Sequence, residues 1–151
     1  MSIPYLGAAF ISLLNFAIHA LFTVAIVYAT RHADKATSEL GMFERIAALL
    51  TITMVTLMIA HVVEIFVWAG FYDAIGLTVT LANSLEFAFE NYTALGYGDA
   101  LPPPGLRLLG PINALNGLLL IGWSVAIIFE VLRMAEIQFG RLAKSPRKRR
   151  K

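Results

Sequence analysis

At 151 residues, 58% of them apolar and with a mean hydropathy of +0.72, the chain is too apolar for a water-soluble domain and too short for several, so it reads as an integral membrane protein. It has no cysteine, which excludes disulfides, thiolate catalysis and thiolate metal sites. Its net charge of +2 hides an asymmetry: eight of the twelve Lys and Arg residues follow position 132, a pattern that speaks of membrane orientation rather than of a nucleic-acid partner.

Residues 7–30 contain no Asp, Glu, Lys or Arg over 24 positions, more than the about 20 needed to cross a hydrocarbon core. The run has no basic start and outlasts the about 7 to 15 residues of a signal-peptide core, so a first membrane span is expected. His19, in mid-span, reads as hydrogen-bonded packing rather than a proton relay. Arg31, Asp34, Lys35, Glu39, Glu44 and Arg45 around Gly41 then form a polar connection, in which Ser38 could cap a short surface helix. Residues 1–45 are taken as one unit, a helix and its loop.

A second span is expected over residues 46–70, apolar except for His61 and Glu64, with Trp68, Phe71 and Tyr72 as an interfacial aromatic belt. Asp73 and Gly76 mark an external turn. Residues 80–92 are apolar but too short to span, and Asn83 or Ser84 is a helix-start candidate. They read as a re-entrant pore helix, tolerable at membrane depth only when surrounded by protein or lining a wet cavity. Its C-terminal, negative end would aim at that cavity.

Next comes Thr93-Ala94-Leu95-Gly96-Tyr97-Gly98-Asp99. A desolvated cation needs a ring of carbonyl oxygens turned to one axis. Gly96 and Gly98 can adopt the backbone angles this requires, closed to most other residues. A Gly-aromatic-Gly triplet also occurs in ordinary turns, so it is the short helix before it and the apolar run after it that give it weight. Pro102-Pro103-Pro104-Gly105 forms a stiff outer connection to Arg107 and Pro111. A third span is expected over residues 112–132, where Asn113, Asn116 and Ser124 should face protein or water, and Gly117 and Gly122 permit close contact or bending. Residues 46–133 thus form a pore domain. Residues 134–151 form a basic tail, set off by Ser145-Pro146, that serves as a topology signal or meets anionic lipid headgroups.

The positive-inside rule places the N-terminus outside and the C-terminus in the cytoplasm, with Arg107 the one Lys or Arg outside. The Gly-Tyr-Gly loop then enters from the outer face. His61 and Glu64 share a helical face at membrane depth, and with Glu86, Glu90 and Asp99 they are expected to cluster behind the loop. Such a cluster would act either as a pH sensor for the filter or as a static brace. Glu130 and Arg133 should form an ion pair. Val125 and Phe129, one turn apart, are candidates for a hydrophobic gate or for plain helix packing.

Residues 44–129 resemble the outer helix, pore loop and inner helix of bacterial two-helix-type potassium channels (the ion channel 2 group), with one extra helix in front. The 93–99 run resembles their TVGYG filter. The resemblance implies an all-α membrane protein with three transmembrane helices, a re-entrant pore helix and a selectivity filter, assembled as a homotetramer in a bacterial inner membrane. Its filter would be Thr93 to Gly98, with potassium at the carbonyls as permeant ion and no cofactor. Tyr97 would wedge the filter open, Glu90 and Asp99 would share a proton or water behind it with Glu86 nearby, and Gly117 would be the inner-helix hinge. Two departures stand out: Ala94 replaces a Thr whose hydroxyl helps ligate the innermost ion, and Leu95 replaces Val. The first makes a weakly selective cation channel the alternative; His61 and Glu64 make a non-conducting, proton-responsive adaptor another. No nucleophile-base pairing or metal-ligand spacing in the sequence suggests an enzyme.

Overall fold

The computed structural model describes residues 2–36, 39–97 and 101–144, so Ser38, Gly98, Asp99 and the basic run from 145 lie outside the described residues. These residues form four helices and, among them, no strand: α1 (Ser2–Ala36), α2 (Met42–Ala74), α3 (Leu81–Tyr92) and α4 (Leu109–Lys144). Three stretches are long and apolar enough to cross a membrane, Ile3–Ala33, Met42–Ala74 and Leu109–Ile137. At 12 residues, α3 reaches about 18 Å, well short of the about 30 Å core. The chain is an all-α membrane protein.

In α1 the buried positions Ala8, Asn15, His19, Ile26, Thr30 and Ala33 follow steps of three, four and seven and form one seam. Ile3, Leu6, Phe10, Leu13, Leu21 and Val24 are exposed on other faces, where lipid would cover them. Asn15, His19 and Thr30 therefore point inward, as expected where the surrounding solvent is hydrocarbon. α1 packs on α2 and α4 of its own chain, and Tyr5 donates a 2.6 Å hydrogen bond to the Gly105 carbonyl in the connection before α4. At Gly7 the two helices come so close that a Cβ would lie 2.7 Å from the Phe71 ring.

α2 opens with the Gly41 N–H bonded to the Glu44 carboxylate at 2.9 Å and closes in a Schellman turn. There Leu77 N–H bonds Tyr72 O at 2.9 Å, Gly76 N–H bonds Asp73 O at 3.0 Å, and Gly76 takes φ +63°. The turn expected at Asp73 and Gly76 is this cap. The aromatic belt is corrected: Trp68 and Tyr72 are fully buried in the bundle, with Trp68 Nε1 donating to Asn116 Oδ1 at 3.0 Å and Tyr72 Oη to Leu109 O at 3.2 Å. Inward-facing partners outweigh the preference of these rings for the interface.

α3 lies against α2 and α4. Its N-cap is Thr80, whose Oγ1 accepts from Asn83 N–H at 3.2 Å, so the start expected at Asn83 or Ser84 moves to Thr80. Asn113 Nδ2 reaches across from α4 to the Ala88 carbonyl at 3.2 Å. α4 begins three residues before the expected position 112, because Pro111 fits within a first helical turn that has no N–H bonds to lose.

The interior has two apolar clusters. One gathers Ala8, Ile65, Trp68, Tyr72, Phe87 and Tyr92 with their neighbours, the other Ile26, Leu49, Leu57, Val131 and Ala135 with theirs. Between them in sequence along each long helix lie buried polar residues: Asn15 and His19 on α1, Glu64 on α2 and Ser124 on α4, with Asn116 buried beside the first cluster.

Candidate functional site

The pore loop starts from the way α3 stops. Leu95 N–H bonds Glu90 O at 2.8 Å and Ala94 N–H bonds Asn91 O at 2.9 Å, the pairing of a second Schellman turn. The left-handed position, which Gly76 fills at the end of α2, is here Ala94 at φ +56°. Gly96 follows at φ +58°, while Leu95 between them is not left-handed. Handedness therefore alternates from Thr93, at φ -83°, through Gly96. Such alternation turns successive peptide planes the same way, instead of the up-and-down order of a β-strand.

Side chains alternate as well. Thr93, Leu95 and Tyr97 line one open groove of about 530 Å³ together with Glu86, Phe89 and Glu90. Ala94 and Gly96 line another, of about 430 Å³, with Pro111, Ala114, Leu115 and Leu118 of α4. Leu95 thus lies on the α3 flank, and Tyr97 on the same flank. Leu95 is 57% and Tyr97 68% exposed on a single chain. Thr93 turns its hydroxyl back to Phe89 O at 2.8 Å.

Gly117 is a contact glycine. A Cβ there would fall on the carbonyl oxygen of Tyr92, so α3 docks on α4 through the missing side chain, whereas Gly122 has open space around it. α4 runs as one helix through Gly117. Val125 and Phe129 are exposed, and Arg133 pairs with Glu130 through two bonds of 2.9 and 2.7 Å, as expected.

The five-residue cluster expected behind the loop is corrected. His61 and Glu64 do meet, at 3.2 Å, but their other partners are His19, Tyr92 and Ser124. Glu86 and Glu90 instead flank residues 93–97 on the far face of α3, and Asp99 lies outside the described residues. The cause is helical geometry: Tyr92 is two residues, about 200°, beyond Glu90, so the two point to opposite sides. Glu64, with no exposed surface, accepts from His19 Nδ1 at 2.9 Å and from Tyr92 Oη at 2.5 Å. His61 Nε2 and His19 Nε2 both face Ser124 Oγ, at 2.9 and 3.3 Å. Asn15 supports the group by donating to Glu64 O and Asn116 Oδ1, each at 3.2 Å. Sequence reasoning missed His19, Tyr92 and Ser124 as partners. The available signal was the carboxylate itself, since a Glu at membrane depth needs donors, and His19 and His61 are the mid-span imidazoles.

A family model described as Ion channel matches residues 58–134, just over half the chain, from within α2 through the pore loop to α4. α1 lies before the matched segment. No curated protein and no solved structure matches the chain.

Proposed function

From the premise that this chain belongs to the ion-channel family, we propose that it forms a passive potassium-selective channel, conducting through a ring of four filter strands at the axis of a homotetramer. The observation that carries this reading is the alternation of left-handed Ala94 and Gly96 directly beyond the C-terminal end of a half-membrane helix. It suits carbonyls turned to one axis, with the helix's negative end favouring a cation there. One chain supplies one strand, so the ring needs four. The filter is Thr93 to Gly98 with potassium as the permeant ion, Glu90 and Asp99 support it, and Gly117, Val125 and Phe129 are hinge and gate.

The N-terminus lies outside and the basic tail in the cytoplasm of a bacterial inner membrane. The Tyr5 bond to Gly105 puts the start of α1 on the same side as the connection before α4, and the positive-inside rule makes that side the outside. The tail meets anionic lipid.

The second reading, a weakly selective cation channel, is favoured by Ala94, which carries no hydroxyl for the innermost ion. A reversal potential decides between them, measured on purified protein in a bilayer with potassium on one side and sodium on the other. A value near the potassium equilibrium potential is expected. A value near zero with clear current means weak selectivity, and in that event Ala94→Thr should move it toward potassium. Absence of current at every voltage and pH tested would overturn both.

A further inference from the structure

We propose that His19, His61, Glu64 and Tyr92 form a binding site for one zinc-class divalent cation inside the helix bundle, behind the filter strand. One nitrogen from each imidazole and one oxygen of Glu64 lie within 4.8 Å of one another. His19 Nδ1 is 2.9 Å from Glu64 Oε1 and His61 Nδ1 is 3.2 Å from Glu64 Oε2. Two ligands each about 2.0 Å from a tetrahedral ion stand roughly 3.3 Å apart, so these pairs are already near ligand spacing. Tyr92 Oη is the fourth donor, 2.8 Å from His61 Nδ1 and 2.5 Å from Glu64 Oε2. Two imidazoles with a carboxylate suit zinc and its first-row neighbours, not calcium or magnesium, which take oxygen ligands.

A second observation lies at the other edge of the two rings, where Ser124 Oγ stands 2.9 Å from His61 Nε2 and 3.3 Å from His19 Nε2. If neutral imidazoles donate Nδ1–H toward Glu64, each presents a bare Nε2 to Ser124, whose single hydroxyl hydrogen serves one of them. If both Nδ1 lone pairs go to a metal ion, both rings carry hydrogen on Nε2, and the two lone pairs of one serine oxygen accept both. Metal-bound histidines characteristically place the second N–H on such an acceptor, which fixes ring orientation and tautomer. Ser124 is therefore a positioning residue for the ion.

Such an ion would join α1, α2 and α3 at one point, with α4 holding both rings. Tyr92 is the last residue of α3 and directly precedes the filter, so the ion would pin the end of the pore helix. The site stands apart from the filter strand, so it would take its ion whichever cation the pore conducts.

The test uses the untagged full chain in detergent, stripped with a chelator and titrated with Co²⁺ while visible absorption is recorded, then with Zn²⁺ in competition. One Co²⁺ per chain with the intense bands of a tetrahedral site is expected, displaced by Zn²⁺, together with a thermal midpoint that rises with Zn²⁺ concentration. Ser124→Ala keeps all four ligands and should weaken binding about 10- to 100-fold. His19→Gln should abolish the bands while circular dichroism retains its helical signal; if that variant loses its helices, Tyr92→Phe takes its place and should shift the bands. His32→Gln, at an imidazole that bonds the Tyr28 carbonyl, should bind as wild type does. A wild-type chain with neither bands nor a midpoint shift at about a hundredfold excess of ion overturns the proposal. So do bands that persist unchanged in a folded His19→Gln.

Discussion

Gly76 and Ala94 occupy the same place in two Schellman turns within one chain, and both are left-handed, at φ +63° and +56°. Glycine adopts that conformation freely, whereas a Cβ there costs about 1 to 2 kcal/mol. A Cβ on Gly76 would meet nothing within 4 Å, so Gly76→Ala should isolate the backbone term and lose about 1 kcal/mol of stability. Ala94→Gly should gain about the same, both read from thermal or denaturant midpoints in detergent. Equal midpoints for Ala94→Gly and wild type would mean that the assembled pore does not hold residue 94 in the left-handed form. Glu64 is a second point of leverage. Its carboxylate is buried and held by three donors; its removal strips His19 Nδ1 of that partner and leaves His61 Nδ1 and Tyr92 Oη only each other, 2.8 Å apart, so Glu64→Ala should cost about 3 to 5 kcal/mol, read from the same midpoints.

Among the helices, the contact of α3 with α4 depends on Gly117, where any side chain meets the Tyr92 carbonyl. Gly117→Ala should destabilise by about 2 kcal/mol or more through overpacking, while Gly122→Ala, in open space, should be neutral or stabilise the helix by up to about 1 kcal/mol. If the two variants melt alike, Gly117 does not govern the docking of α3. The three long helices were legible in the sequence because an apolar run of membrane length, charge-free in the first and broken only by Glu64 and Glu130 in the others, matches the thickness of a hydrocarbon core and exceeds what a small soluble core could bury. The start of α3 was less so, since Thr80, Asn83 and Ser84 are all cap-forming residues within five positions and the surrounding fold selects Thr80. The glycine spacing announced a special backbone after α3, yet it pointed to Gly96 and not to Ala94, whose conformation comes from the helix-ending turn rather than from its own preference. Spacing placed His61 and Glu64 on one face, but could not say which face of α3 they would meet. His19 is 45 residues from Glu64, and no local pattern joins them.

For the assembled protein, what a single chain leaves uncovered is informative. Leu95, Tyr97, Leu115, Leu118, Val125 and Phe129 are all at least 48% exposed, and they lie on the pore loop and α4. A homotetramer built around the filter would bring these surfaces against one another or around a central conduit. Native mass spectrometry should therefore give four times 16.6 kDa, and a monomer or dimer as the sole species would remove the basis for an axial pore.

The ties between α1 and the rest of the chain bear on how the protein is made. Asn15 waits for Asn116, 101 residues later, and His19 for Ser124, 105 residues later. At a synthesis rate of about 5 to 20 residues per second, that delay is on the order of 5 to 20 s. Throughout it, α1 carries polar groups into the bilayer with at most the Glu64 share of their partners made, 45 and 49 residues after them. Of the helices in this chain, the earliest made is among the last to be satisfied. Until α4 arrives, its apolar outer stripe must hold it in the membrane.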